Sequence, residues 1–189
     1  FINLNDNKNL KEIFSLIFPE FNLDRLQSLK KIYNCIKINK NILLAVLLID
    51  GKDNHEYFAH KYNIANNIEE NLNLLTKNLK ISKENKDFFA KDLEKNIYLN
   101  TKNHLVDLNV INYVSIDKYN LEDFSDKLKK ITQSKTHTFP ISGKHLIQKG
   151  MKEGLAIGRV LEIIEEEWIN NNFKISKNRI KEIIRLNFN

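Results

Sequence analysis

Apolar positions recur at steps of three and four along nearly the whole chain, a spacing that predicts helices rather than strands. Leu10, Ile13, Phe14 and Ile17 share one face of a first helix, which Pro19 stops. Asn22 or Asp24 is placed to cap a second, with Leu26, Leu29, Ile32, Tyr33 and Ile36 inward. Cys35 lies near that face and reads as a small core residue. Asn41 is placed to cap a short buried helix that runs through Leu48 and ends near Gly51. Residues 55–62 read as a further helix, and residues 65–79 as another with Ile68, Leu72, Leu75 and Leu79 on one face. Ser82 is placed to start the next, which carries Phe88, Phe89, Leu93 and Ile97.

Residues 105–114 are ambiguous. Their Val, Ile and Tyr content admits a strand, whereas Leu105, Leu108 and Ile111 or Asn112 fit a helix, and the helical surroundings favour the helix. Residues 115–126 read as a linker or turn region, and residues 123–132 as a short helix with Phe124, Leu128 and Ile131 inward. A polar joint over 134–138 precedes Pro140. The expected fold is all-α, a multi-helical body over 1–125 and a basic helical tail over 126–189 with a hairpin motif, the soft boundary falling near 115–135.

The tail has the clearest pattern. Ser142 is placed to cap a helix over 143–149 with Leu146 and Ile147 inward, and Gly150 stands where a left-handed C-terminal cap is needed. Met151 is expected in the core. Gly154 opens a longer helix whose buried stripe is Ile157, Val160, Leu161, Ile164 and Trp168. Gly154 and Gly158, one turn apart, would let another backbone approach that face. The acidic run 165–167 reads as a solvated face. Ser176 is placed to cap a last helix with Ile180, Ile183 and Ile184 inward and Lys177, Arg179, Lys181 and Arg185 outside.

Composition adds limits. Five glycines and two prolines in 189 residues favour long helices over a turn-rich β fold. The abundant Asn reads mostly as surface filler. Cys35 is the only cysteine, so an intrachain disulfide or a cysteine zinc cluster is excluded and a reducing compartment fits. No signal peptide is visible, and the longest apolar run, residues 42–49, is far short of the roughly 20 residues that span a bilayer. These features read as a cytoplasmic protein with no membrane role. The start at Phe1 rather than Met suggests a fragment or a processed chain.

Charge is uneven. Residues 1–125 carry 17 Lys/Arg and 17 Asp/Glu, while residues 126–189 carry 13 and 7, so the whole net charge of +6 falls in the tail. Such asymmetry suggests an anionic partner, nucleic acid first, with plain solubility charge as the alternative. The hairpin suits phosphate: uncapped amides at the start of its second helix, Lys149 and Lys152 before it, Arg159 within it, and Lys144 and His145 on the first helix. A plain helical hairpin with solvated lysines is the other reading. Asp53, His55, Glu56 and His60 have the only metal-like spacing, but no second pair supports them and a surface helix is favoured. His137 and His145 lack a nucleophile pattern, and no strand–loop–helix phosphate motif is present.

Residues 139–173 resemble the C-terminal signature of bacterial class II tRNA nucleotidyltransferases, the CCA-adding enzymes and their poly(A) polymerase relatives. Phe139, Pro140, Gly143, Leu146, Gly150, Gly154, Gly158, Leu161, Glu165 or Glu166, Trp168, Ile169 and Phe173 stand in register with it. The chain departs at His145, where an acid is common, and at Glu153 and Leu155, where prolines are common. Upstream, residues 13–21 resemble the family's neck, residues 23–29 the helix that follows and residues 57–79 the body helices, all less specifically.

The resemblance implies an RNA-gripping body and tail that hold the tRNA acceptor/TΨC elbow, with Lys144, His145, Lys149, Lys152, Gly154, Arg159, Lys177 and Arg179 as RNA-binding candidates and Lys149, Lys152 and Arg159 contributing most. The family's catalytic head, with its Asp-x-Asp pair holding magnesium and its selection of CTP and ATP, has no counterpart here, since no D-x-D occurs in the chain. The chain alone is therefore expected to be inactive and to carry no catalytic or metal-binding residue, Mg and CTP/ATP being implied only for the absent head. A separate head subunit, a poly(A) polymerase role, and a helical protein-interaction domain without an RNA role remain as alternatives.

Overall fold

The computed structural model describes residues 7–116 and 119–187. Among these residues it is all-α: α1 (Lys8–Ile17), α2 (Arg25–Ile32), α3 (Lys40–Leu48), α4 (Asn54–Tyr62), α5 (Asn66–Glu84), α6 (Leu93–Asn100), α7 (Lys102–Ser115), α8 (Leu121–Gln133), α9 (Gly143–Gln148), α10 (Leu155–Asn170) and α11 (Lys177–Leu186). No described helix is long and apolar enough to cross a membrane. The chain divides into two compact units, Phe1–Ser134 and Lys135–Asn189. The division leaves α8, with Lys127, Lys129 and Lys130, in the first unit rather than with the basic tail.

The first unit is built around α7, against which α2, α3, α5, α6 and α8 pack. Leu105, Leu108, Val110 and Ile111 are fully buried, and His104, Asn109 and Asn112 are buried with them. A helix covered on nearly all sides has no polar stripe, which is why residues 105–114 read ambiguously as a sequence. Its buried asparagines and His104 are bonded inside, whereas the Ser115 hydroxyl at its end is buried without a partner among the described residues. Asn109 Nδ2 donates to Phe124 O at 3.0 Å, and its Oδ1 accepts from the Tyr119 hydroxyl at 2.6 Å. Asn78 Nδ2 donates to Asn100 Oδ1 at 2.8 Å and lies 2.9 Å from His104 Nε2. Burial holds the His104 imidazole below its ordinary pKa, which favours the neutral ring, and with the Asn78 amide as donor Nε2 is the acceptor. These asparagines are internal cement, not surface filler.

Several caps and faces differ from the expectation. Asn39, not Asn41, caps α3, its Oδ1 accepting from the Asn41 and Ile42 amides at 2.9 and 3.0 Å. Asp24 takes the N-cap place of α2 with a helical backbone and no capping bond; its carboxylate pairs with Lys11 instead. Cys35 is exposed, because α2 ends at Ile32 and the turn beyond it breaks the helical phase. Ser82 lies inside α5, its hydroxyl donating to Leu79 O at 2.9 Å, and the next helix starts only at Leu93. Phe88 and Phe89 are buried in the turns between, held by Asn85, whose side chain accepts from the Asp87 amide and donates to Asp92. The linker expected over 115–126 is largely helix at both ends, and its residues 117–118 lie outside the described residues.

The α1 face also departs. Phe14 joins an aromatic row with Phe18, Phe21, Phe58 and Tyr62, but Leu10, Ile13, Leu16 and Ile17 are exposed. Glu20, after the helix-stopping Pro19, is buried and accepts from Lys61 Nζ at 2.6 Å. Burial opposes its ionisation, but the Lys61 ammonium holds its carboxyl below the usual range. Arg25, on α2, donates to Val46 O at 3.0 Å and to Ile49 O, tying α2 to the end of α3.

Candidate nucleic-acid interface

In the second unit, α9 ends as its glycine dictates. The Gly150 amide donates to Ile147 O at 2.8 Å and the Met151 amide to Leu146 O at 3.1 Å, the paired bonds of a Schellman cap. Gly150 has φ +99°, a conformation that a side chain resists. Leu146 and Met151 are both buried in one cluster with Val160, Ile164, Ile183 and Ile184. That apolar contact across the cap closes the hairpin between α9 and α10. At the other end of α9 the His145 ring occupies the cap: its Nδ1 accepts from the Ser142 amide at 3.1 Å and lies 2.9 Å from Ser142 Oγ.

Gly154, at φ +147°, precedes α10, and no side chain caps its first amides. The expected stripe on α10 is present: Val160, Ile164 and Trp168 are buried, with Ile157 and Leu161 half-buried. The close approach is at Gly143, where an added Cβ would stand 3.4 Å from Ile157 Cγ2. Gly158, expected to admit a neighbouring backbone, instead faces open space.

The aromatic residues that carried the resemblance converge. Trp168 meets Phe139 edge-on, with ring centres 5.4 Å apart, and Phe173 at 4.9 Å. His137, which sequence patterning left without a role, stacks on Phe173 at 3.7 Å with the rings 10° from parallel. This cluster joins the chain before α9 to the end of α10.

The basic residues differ in state. Lys144, Lys149, Lys152, Arg159 and Lys177 are exposed and have no ion-pair partner among the described residues. Arg179 is engaged: Nε donates to Glu167 Oε1 and Oε2 at 2.8 and 2.9 Å, and Nη1 to Glu182 Oε2 at 3.0 Å. Those bonds raise the guanidinium pKa and lower that of Glu167, so Glu167 is a partner of α11 and not simply part of a solvated face. Lys149, at the end of α9, lines a hollow with Lys181, Ile184 and Arg185 of α11. Lys144, Lys152, Arg159 and Lys177 are not brought into that hollow. Lys181 and Arg185 belong to the basic exterior that the sequence puts on α11, which reads either as an extension of an RNA path or as ordinary surface charge; their i, i+4 spacing puts them on one helix face, but only the fold sets Lys149 beside them.

Elsewhere, His55 is buried while Asp53, Glu56 and His60 are exposed, and no group of three or more His, Cys, Asp or Glu among the described residues is arranged to hold a metal ion. Comparison with protein-family models, curated proteins and solved structures returns no match.

Proposed function

We propose that this chain is the RNA-holding body and tail of a tRNA nucleotidyltransferase, with catalysis residing in a head that the chain does not contain. One observation carries the reading: of the ten Lys/Arg in residues 135–189, only Arg179 has an ion-pair partner among the described residues. A small unit whose cations are left unneutralised is suited to a polyanion, and surface lysines grip phosphates without reading bases. The resemblance over 139–173 supplies the kind of polyanion, a folded tRNA, and gives the protein a cytoplasmic place. By the resemblance, magnesium, CTP and ATP belong to the missing head, whose Asp-x-Asp pair does not occur in this sequence. The choice between CCA addition and poly(A) tailing rests with that head.

Binding to intact tRNA and to a single-stranded RNA of equal length, across a salt series, tests the reading. Preference for folded tRNA, with affinity falling steeply as salt rises, is expected. Equal weak binding, or none, supports a second reading, a helical protein-interaction domain. The exposed Leu10, Ile13, Leu16 and Ile17 of α1 favour that one.

A further inference from the structure

We propose that the hollow between the end of α9 and the later turns of α11 is a phosphate site, filled by a phosphodiester of the bound RNA backbone. The proposal rests on the reading of this unit as RNA-holding. Lys149, Lys181 and Arg185 line the hollow, Ile184 forms its apolar side, and no described carboxylate lines it. None of the three cations has an ion-pair partner among the described residues. Three cationic residues around one concavity raise the local positive potential, and an anion seated among them lowers it.

The hollow is also firmly built. The Schellman cap fixes where Lys149 leaves α9, while Ile183 and Ile184, buried in the unit core, fix the rotation of α11 and so the direction of Lys181 and Arg185. Lys and Arg together suit a phosphate, the one as a point charge and the other as a planar fork. This moves the principal contact away from Lys152 and Arg159, where the hairpin alone would put it.

The test compares the full chain with its K149Q/K181Q/R185Q variant and with K77Q/K80Q/K83Q, which removes equal charge from the exposed side of α5. Against tRNA, the hollow variant is expected to lose roughly ten-fold or more in affinity at low salt, with a salt slope shallower by roughly one to two. The α5 variant should lose little, and K181R should retain binding. Unchanged binding by the hollow variant, or an equal loss in the α5 variant, overturns the phosphate site while leaving the RNA reading standing. If the parent chain binds no tRNA, the RNA reading falls and a pyrophosphate titration decides the hollow. NMR shifts at Ile184 that vanish in the hollow variant keep it as a site for free phosphate groups, and no shift overturns it.

Discussion

Arg179 and Glu167 form a two-toothed clasp, the guanidinium Nε within 2.9 Å of both carboxylate oxygens. It pins the first turn of α11 to the last turn of α10, beside the Ser176 cap, whose Oγ accepts from the Arg179 amide at 3.1 Å. An arginine so held is a joint between helices before it is a ligand for anything else. Arg179→Gln is therefore expected to lower the melting temperature while reducing tRNA affinity less than Lys181→Gln does. Paired melting and binding curves check this. Because the Glu167 carboxyl is held below its ordinary pKa, the clasp stabilises above the unfolded carboxylate pKa and is lost as pH falls through the lower folded value.

Two glycines of the tail should respond to alanine with opposite signs. Gly150→Ala forces a side chain to φ +99° at the Schellman cap and should cost about 1 kcal/mol or more. Gly158→Ala lies inside α10 facing open space and should stabilise by about 0.5–1 kcal/mol through helix propensity. Denaturant melts of the two variants decide the matter. A loss of stability in Gly158→Ala would mean that a neighbour approaches that face.

Asn109 is the polar hinge of the body, giving one bond to Phe124 O and taking one from the Tyr119 hydroxyl. Asn109→Ala strands both partners and should cost about 3 kcal/mol, whereas Tyr119→Phe leaves one acceptor unmet and should cost about 1 kcal/mol. Urea unfolding measures both. The double variant should cost less than the sum, because the two residues share a bond.

Asp107, half-buried on the central helix, has its carboxyl pushed up to about 6 by desolvation. Between its ordinary range and pH 6 the folded state binds more protons than the unfolded one, so this group makes stability fall as pH rises through that window. Asp107→Asn should raise the melting temperature by a few degrees at pH 7.5, consistent with about 1 kcal/mol, and leave it unchanged near pH 3.5. An equal shift at both pH values would assign the effect to packing rather than to charge.

What the sequence determined by itself is the set of elements that bury one side only. The stripe from Ile157 to Trp168, the Gly150 stop and the inward Ile183 and Ile184 were legible because one-sided burial prints a period of 3.6 on the chain. The all-α class followed from that period and from the scarcity of glycine and proline. Tertiary structure decided the rest. Residues 105–114 are covered on nearly all sides and so carry only a weak period. Ser82 continues a helix because its hydroxyl finds Leu79 O, and Asn39 wins the cap over Asn41 by the local backbone turn. Above all, which cations remain available depends on helix placement. Glu167 reaches Arg179 because the α10–α11 turn brings them together, and Lys149 meets Lys181 and Arg185 across more than thirty residues of chain. Charge is written in the sequence, but neutralisation is a matter of distance, and only the fold sets distances.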